Sequence, residues 1–221
     1  MKAIAVSQKG TRSEHNEDAC LAMPTSGVFV VSDGVGGGPS GQVASRSVVE
    51  KIYQYLHSSE VTQERIEQAI EMANSKVMSV AKQRNIEGTA CTLVLAWVDG
   101  SKLTCFNVGD SRIYRLRDGK VTQLTKDHTK LVDRGSRKKR VVTRVLGLKE
   151  NIPVDISEWD WKPTDMVMLM SDGISDPLAV SDIERIVVSE KLSVGDKVKS
   201  LIAESVTRGC EDDKTIVVAF Q

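Results

Sequence analysis

The chain has 221 residues, 40% apolar and 27% charged, with thirty basic residues against thirty acidic ones. These values are ordinary for a soluble globular protein of one domain, and the zero balance gives no sign of a polyanionic partner. Cys20, Cys91, Cys105 and Cys210 lie far apart with no C-x-x-C pair, which argues against a zinc site and a disulfide framework.

The apolar start of the chain is too short for a signal peptide, and no run approaches the ~20 apolar residues of a membrane helix, so the chain reads as cytoplasmic. Strands are predicted at 3–7, after Asp18 (ACLAM) and at 28–32. Two helices follow, over 41–57 and 62–84. In the second, Ile66, Ala69, Ile70, Ala73, Val77 and Val80 recur at helical spacing, and Thr62 is a fair N-cap. Short β-rich runs then come at 90–98, 102–108, 111–116 and 120–124. Asp99-Gly100 and Asp118-Gly119 lie between them. Asp-Gly accepts the positive φ of a tight hairpin, so this stretch reads as an antiparallel meander. Residues 130–140 read as a basic loop. Strands return at 154–159, 166–170 and 215–220, with helices over 181–189 and 194–208. Helices in blocks against antiparallel strands imply α+β layers rather than a parallel α/β wind.

The acids fall at the ends of these strands. Asp33, Asp110 and Asp172 follow VFVVS, LTCFNVG and MVMLMS; Asp18 precedes ACLAM, and Asp212 and Asp213 precede TIVVAF. In antiparallel sheets the C-end of one strand lies beside the N-end of its neighbour, so these acids can gather along one edge. Carboxylates packed that closely repel and partly protonate unless a cation joins them. An all-oxygen donor set favours Mg²⁺ or Mn²⁺. An Asp-Gly pair taken alone is more often a turn. However, Asp33-Gly34 and Asp172-Gly173 are each preceded by Ser and neither leads into another strand. A P-loop is the weaker reading, because no lysine follows the glycines before Lys51.

The motifs Asn16-Glu17-Asp18, Ser32-Asp33-Gly34-Val35-Gly36-Gly37, Gly88-Thr89-Ala90, Val108-Gly109-Asp110-Ser111-Arg112-Ile113-Tyr114, Asp127-His128-Thr129, Ser171-Asp172-Gly173 and Asp212-Asp213-Lys214-Thr215 stand in this order. In that order the chain resembles the PP2C-type (PPM) metal-dependent serine/threonine phosphatases, and its bacterial branch most. The resemblance covers nearly the whole chain and implies a four-layer α-β-β-α sandwich, two antiparallel sheets flanked by helix pairs. It also implies two Mn²⁺ or Mg²⁺ ions and a weaker third. Asp33 would bridge both ions, the Gly34 carbonyl would bind one, and Asp172 and Asp212 would complete the second site. Asp18 would join directly or through water, and Asp110 with Asp172 would take the third. Asp33, Asp172 and Asp212 then form the catalytic centre, at which a metal-activated water hydrolyses phosphoserine or phosphothreonine. Arg12 is the candidate phosphate clamp. The implied partners are a phosphorylated protein and an opposing bacterial Ser/Thr kinase, in a regulatory or secretion-control circuit. The protein is expected to be a monomer without nucleic acid or membrane. A non-catalytic phosphoprotein-binding module and a small-molecule phosphomonoesterase are the alternatives; the full acid set favours catalysis.

Several positions depart from the family. Arg12 lies one residue further from Asp18 than in many relatives. Val35 stands where eukaryotic members often have a histidine proposed as general acid. His128 is expected to be structural. Asp213 replaces the usual asparagine and is expected to face water. The flap segment is shortened to residues 130–140, which hold Lys130, Arg134, Arg137, Lys138, Lys139 and Arg140. Such a run is most often solvated, but beside an active site it could steer an acidic phosphoprotein.

Overall fold

The computed structural model describes residues 1–35, 39–134 and 137–221, and the side chains of all of these except 39, 134 and 137–139. In chain order the strands are β1 (Lys2–Gln8), β2 (Asp18–Met23), β3 (Val28–Val35), β4 (Ala90–Cys91), β5 (Leu93–Asp99), β6 (Lys102–Val108), β7 (Arg112–Arg117), β8 (Lys120–Gln123), β9 (Thr129–Arg134), β10 (Arg137–Val142), β11 (Asp155–Asp160), β12 (Met166–Met170) and β13 (Lys214–Phe220). The helices are α1 (Pro39–Leu56), α2 (Gln63–Arg84), α3 (Asp172–Ser175), α4 (Val180–Val187) and α5 (Val194–Thr207).

Two antiparallel sheets carry the fold. One runs β1-β13-β12-β7-β8, the other β11-β6-β5-β3-β2. Period-2 alternation gives each sheet two apolar faces. Phe29, Val31, Val94, Ala96, Leu103 and Cys105 meet Ile113, Val167, Leu169 and Val217 between the sheets. The outer face of the β3 sheet, with Val28, Val30, Leu93 and Leu95, takes Val48, Ile52, Ile66, Ile70 and Val77 of α1 and α2. The outer face of the β12 sheet takes Ile183, Ile186, Val198 and Leu201 of α4 and α5. The expected layered sandwich is present.

The region read as one meander is divided. β5 and β6 pair in one sheet, and β7 and β8 pair in the other. The chain crosses at Gly109, whose φ of +117° suits a residue without a Cβ and whose Cα lies against Thr92. The basic segment is a two-stranded hairpin, β9 with β10, rather than a loop. β-branched and apolar residues at 129, 131, 132, 141 and 142 favour pairing at its base; its turn, residues 135–136, lies outside the described residues. Thr62 caps α2 as expected, accepting from Arg65 N. Among the described residues no helix is long and apolar enough to cross a membrane.

Candidate metal centre

The two kinds of Asp-Gly pair separate as their contexts implied. Gly100, Asp118 and Gly119 have φ of +55°, +50° and +74°, and a Cβ on either glycine would meet open space. These are hairpin turns. A Cβ on Gly34 would lie 2.4 Å from Gly41 C, and one on Gly173 would lie 1.8 Å from Asp213 O. These two glycines permit close backbone approach instead. Gly34 packs on the first turn of α1 and on Glu17 O. Residues 36–38, the remainder of the glycine cluster, lie outside the described residues.

The strand register brings the acids together. Asp18 opens β2 directly opposite Asp33 on β3. Asp172 follows β12 at the start of α3, and Asp212 precedes β13, the neighbour of β12. Asp110 sits at the crossing into β7, which also borders β12. Thr92 fixes two of these positions. Its Oγ1 accepts from Asp33 N at 3.0 Å and shares a hydrogen bond with Ser111 Oγ at 2.8 Å.

The carboxylates sense one another. Burial pushes Asp18 up to about 7, with Asp172 and Asp213 adding to the rise. Burial, then Asp172 and Asp176, lifts Asp110 to about 7. Burial, then Asp212 and Asp176, lifts Asp172 to about 6. Asp33 is also raised, by burial first and then by Asp172, Asp18, Asp212 and Asp110. Each acid is held out of water beside like charges, the situation a cation relieves. Among the described residues no three or more His, Cys, Asp or Glu side chains are gathered closely enough, as they stand, to hold a metal ion. Ser171 Oγ donates to Asp18 Oδ2 at 2.8 Å, and Arg12 holds Asp212 at 2.5 Å. Oxygen-only donors with unmet negative charge fit a hard divalent ion.

Arg12 is mostly exposed and reaches the acid edge, with Asp212 first among the groups that strengthen its charge and Asp172 and Glu17 further off. The shift of one residue in its loop has not taken it away. Asp213 does not face water. It is buried, and its carboxylate accepts from Gly10 N and Glu17 N, each at 2.7 Å. It therefore closes both ends of the loop that carries Arg12. The signal for this was its departure from asparagine, since a carboxylate accepts on both oxygens. Sequence reasoning also missed buried Lys214, whose Nζ donates to the carbonyls of Cys210 and Asp212 and braces the Asp212 turn.

His128 is structural, as expected. Its backbone N donates to Gly109 O, and its Nδ1 accepts from Gly109 N. The ring proton therefore sits on Nε2 and is given to Asp155 at 3.0 Å. Burial pushes the Cys91 and Cys105 thiols up to about 12 and Cys20 up to about 11, which leaves no thiolate nucleophile among them.

Residues 8–209 match the family model described as Protein phosphatase 2C. A serine/threonine phosphatase stp of Listeria welshimeri is 28% identical, the alignment covering 99% of this chain and 95% of that protein. The serine/threonine protein phosphatase PstP of Mycobacterium tuberculosis is 30% identical over 99% of this chain, which spans 45% of PstP's length. The structure of the PstP catalytic domain with two manganese ions superposes with a TM-score of 0.84 at 25% identity, covering 98% of this chain and 96% of that one. PppA, described as a key regulatory component of the T6SS in Pseudomonas aeruginosa, superposes with a TM-score of 0.86 at 29% identity, covering 98% and 96%.

Proposed function

The chain belongs to the protein phosphatase 2C family and is a metal-dependent serine/threonine protein phosphatase, and from that premise we propose how its own residues carry the reaction. Asp33 and the Gly34 carbonyl, with Asp18, Asp172 and Asp212, hold two Mn²⁺ or Mg²⁺ ions, and Asp110 with Asp172 takes a weaker third. Bound divalent ions supply Lewis acidity, which lowers the pKa of a water and neutralises charge on phosphate oxygens. The observation that carries this reading is the convergence of five aspartates from separate parts of the chain, four of them raised by burial and by one another.

Because a bound cation needs ionised carboxylates, these acids would hold it in their deprotonated form. Asp212, which pairs with Arg12, would be a ligand of the ion, and the Arg12 guanidinium would orient a phosphate through paired N–H donors. Val35 has no proton to give, so protonation of the leaving serine or threonine oxygen falls to another group. The 221 residues act as one catalytic unit, because the two sheets that supply the acids share one core. The phosphoprotein it acts on is the target of a bacterial Ser/Thr kinase. The basic β9–β10 hairpin draws acidic proteins toward the site; the side chains of residues 134 and 137–139 lie outside the described residues.

Hydrolysis of p-nitrophenyl phosphate and of a phosphothreonine peptide tests the proposal. Activity is expected with Mn²⁺, and loss of it in EDTA and in Asp33→Asn. Undiminished turnover in EDTA would overturn the mechanism.

A further inference from the structure

The β9–β10 hairpin is joined to the body at its base by backbone bonds: Thr143 N donates to His128 O, and His128 N donates to Gly109 O. Further along it, Arg140 reaches back. Its guanidinium forms an ion pair with Asp176 Oδ2 and lies 3.8 Å from Asp127 Oδ2. Both acids are already shared with Arg112. That residue donates from Nε to both Asp127 oxygens at 3.0 Å, from Nη2 to Asp127 at 2.6 Å and to Asp176 at 2.8 Å, and from Nη1 to the Ser175 carbonyl. Arg112 is buried; burial opposes its charge, and its partners, Asp127 first among them, together outweigh that. The ladder Arg140–Asp176–Arg112–Asp127 therefore has a fixed end in the core and a half-exposed end on the hairpin.

That fixed end belongs to the acid centre. Asp176 is the C-cap of α3, and its N–H donates to the carbonyl of Asp172 at 2.9 Å. Arg112 is two residues from Asp110. Arg140 thus touches the turn that follows Asp172. With two carboxylates already in contact, it is not placed to receive a phosphate. On the facing strand, Arg140 pairs with Leu131, whose side chain is 69% exposed.

We propose that Arg140 is a positioning residue, seating the hairpin through Asp176 against the acid centre so that a protein substrate meets the hairpin while its phosphate meets the carboxylates. This inference rests on the phosphatase reading above. A small phosphoester has no polypeptide to lay on the hairpin, so the seat serves protein substrates selectively. A half-exposed ion pair biases such a seat modestly, by about fivefold in the docked population.

The Mn²⁺-loaded full chain provides the test, as wild type, Arg140→Gln and Arg140→Lys. Lys130, Arg134, Arg137, Lys138 and Lys139 are tryptic sites within the hairpin. Brief trypsin digestion should cut there about fivefold faster in Arg140→Gln, because cleavage tracks the undocked population, with Arg140→Lys between. Asp176→Asn keeps every tryptic site and should repeat the faster cleavage. KM for a phosphothreonine protein should rise about fivefold in Arg140→Gln at unchanged kcat, while both constants for p-nitrophenyl phosphate stay within about twofold. Unchanged cleavage would overturn the proposal. So would an equal loss on both substrates, which would place Arg140 in the catalytic centre. Failure of the wild type to hydrolyse either substrate would defeat the phosphatase reading alone and leave the digestion result intact.

Discussion

β12 has an aspartate beyond each end, and the two are opposites. Asp165, just before it, is buried, but its carboxylate takes Arg117 Nε at 2.7 Å, a second Arg117 nitrogen and Lys162 N at 2.9 Å. Burial pushes Asp165 up, and Arg117 with the Lys162 N–H and Arg115 together more than offset it, so its pKa falls below the ordinary value. Asp172, just after the strand, stands among Asp33, Asp110 and Asp212 and is raised to about 6. Along β7, Arg117 ends the strand at the first place, and Asp110 and Arg112 flank its start at the second. Charge satisfied within the chain holds the fold together. Charge left unsatisfied within the chain marks where something outside it binds.

The contrast breaks first on activity. Asp33→Asn should lower kcat/KM for p-nitrophenyl phosphate by about a thousandfold, the several kcal/mol that metal-based charge stabilisation supplies. The variant should still fold, because it removes a repelling charge.

Stability against pH comes next. Asp18, Asp110 and Asp172 have raised folded pKa values, so their stabilising effect is full below the ordinary carboxylate value of about 3.9 and is lost as pH rises through 6 to 7. Asp165 and Asp155 are lowered and act oppositely, losing stability only as pH falls below the ordinary range. Melting in EDTA should therefore show stability falling by several kcal/mol, on the order of 7 at most, between pH 5 and 8. Saturating Mn²⁺ should reverse that slope, because the ion binds the ionised acids. A flat curve in EDTA would mean that the acid end is already neutralised.

At the satisfied end, Arg117→Ala should cost about 2 kcal/mol, because it leaves Asp165 buried with only the Lys162 N–H. Its kcat and KM, measured well below the melting point, should not move. A loss of activity without loss of stability would erase the distinction between the two ends.

The sequence carried much of this. Strand-end position located Asp18, Asp33, Asp110, Asp172 and Asp212, because antiparallel pairing turns distant strand ends into neighbours. The context of each Asp-Gly pair separated turn from close packing. What was not legible depended on contacts between elements. The passage from β6 to β7 looks like a hairpin locally, and only the packing of the two sheets shows that the chain changes sheet there. The hairpin at 129–142 has charges where strand periodicity would otherwise show. The partners of Arg140 lie at 127 and 176, and nothing local to the loop points to them.

Asp213 gives the smallest and finest prediction, because it lies at the acid end and yet is satisfied from within. Its partners are backbone N–H groups of Gly10 and Glu17 rather than a cation. Two donors converge on it, and a carboxylate offers an acceptor to each. An asparagine offers one acceptor and turns an NH₂ toward the other donor. Asp213→Asn restores the residue usual in the family and should nevertheless destabilise this chain by about 1 kcal/mol, or about 3 °C in melting temperature. The loop between residues 10 and 17 carries Arg12 and leads into Asp18, so a modest rise in KM should accompany the loss. If the variant melts with the wild type, the loop is held by something other than that carboxylate. Its acidity would then belong with the unmet charges of Asp18 and Asp172, on the functional side of the contrast.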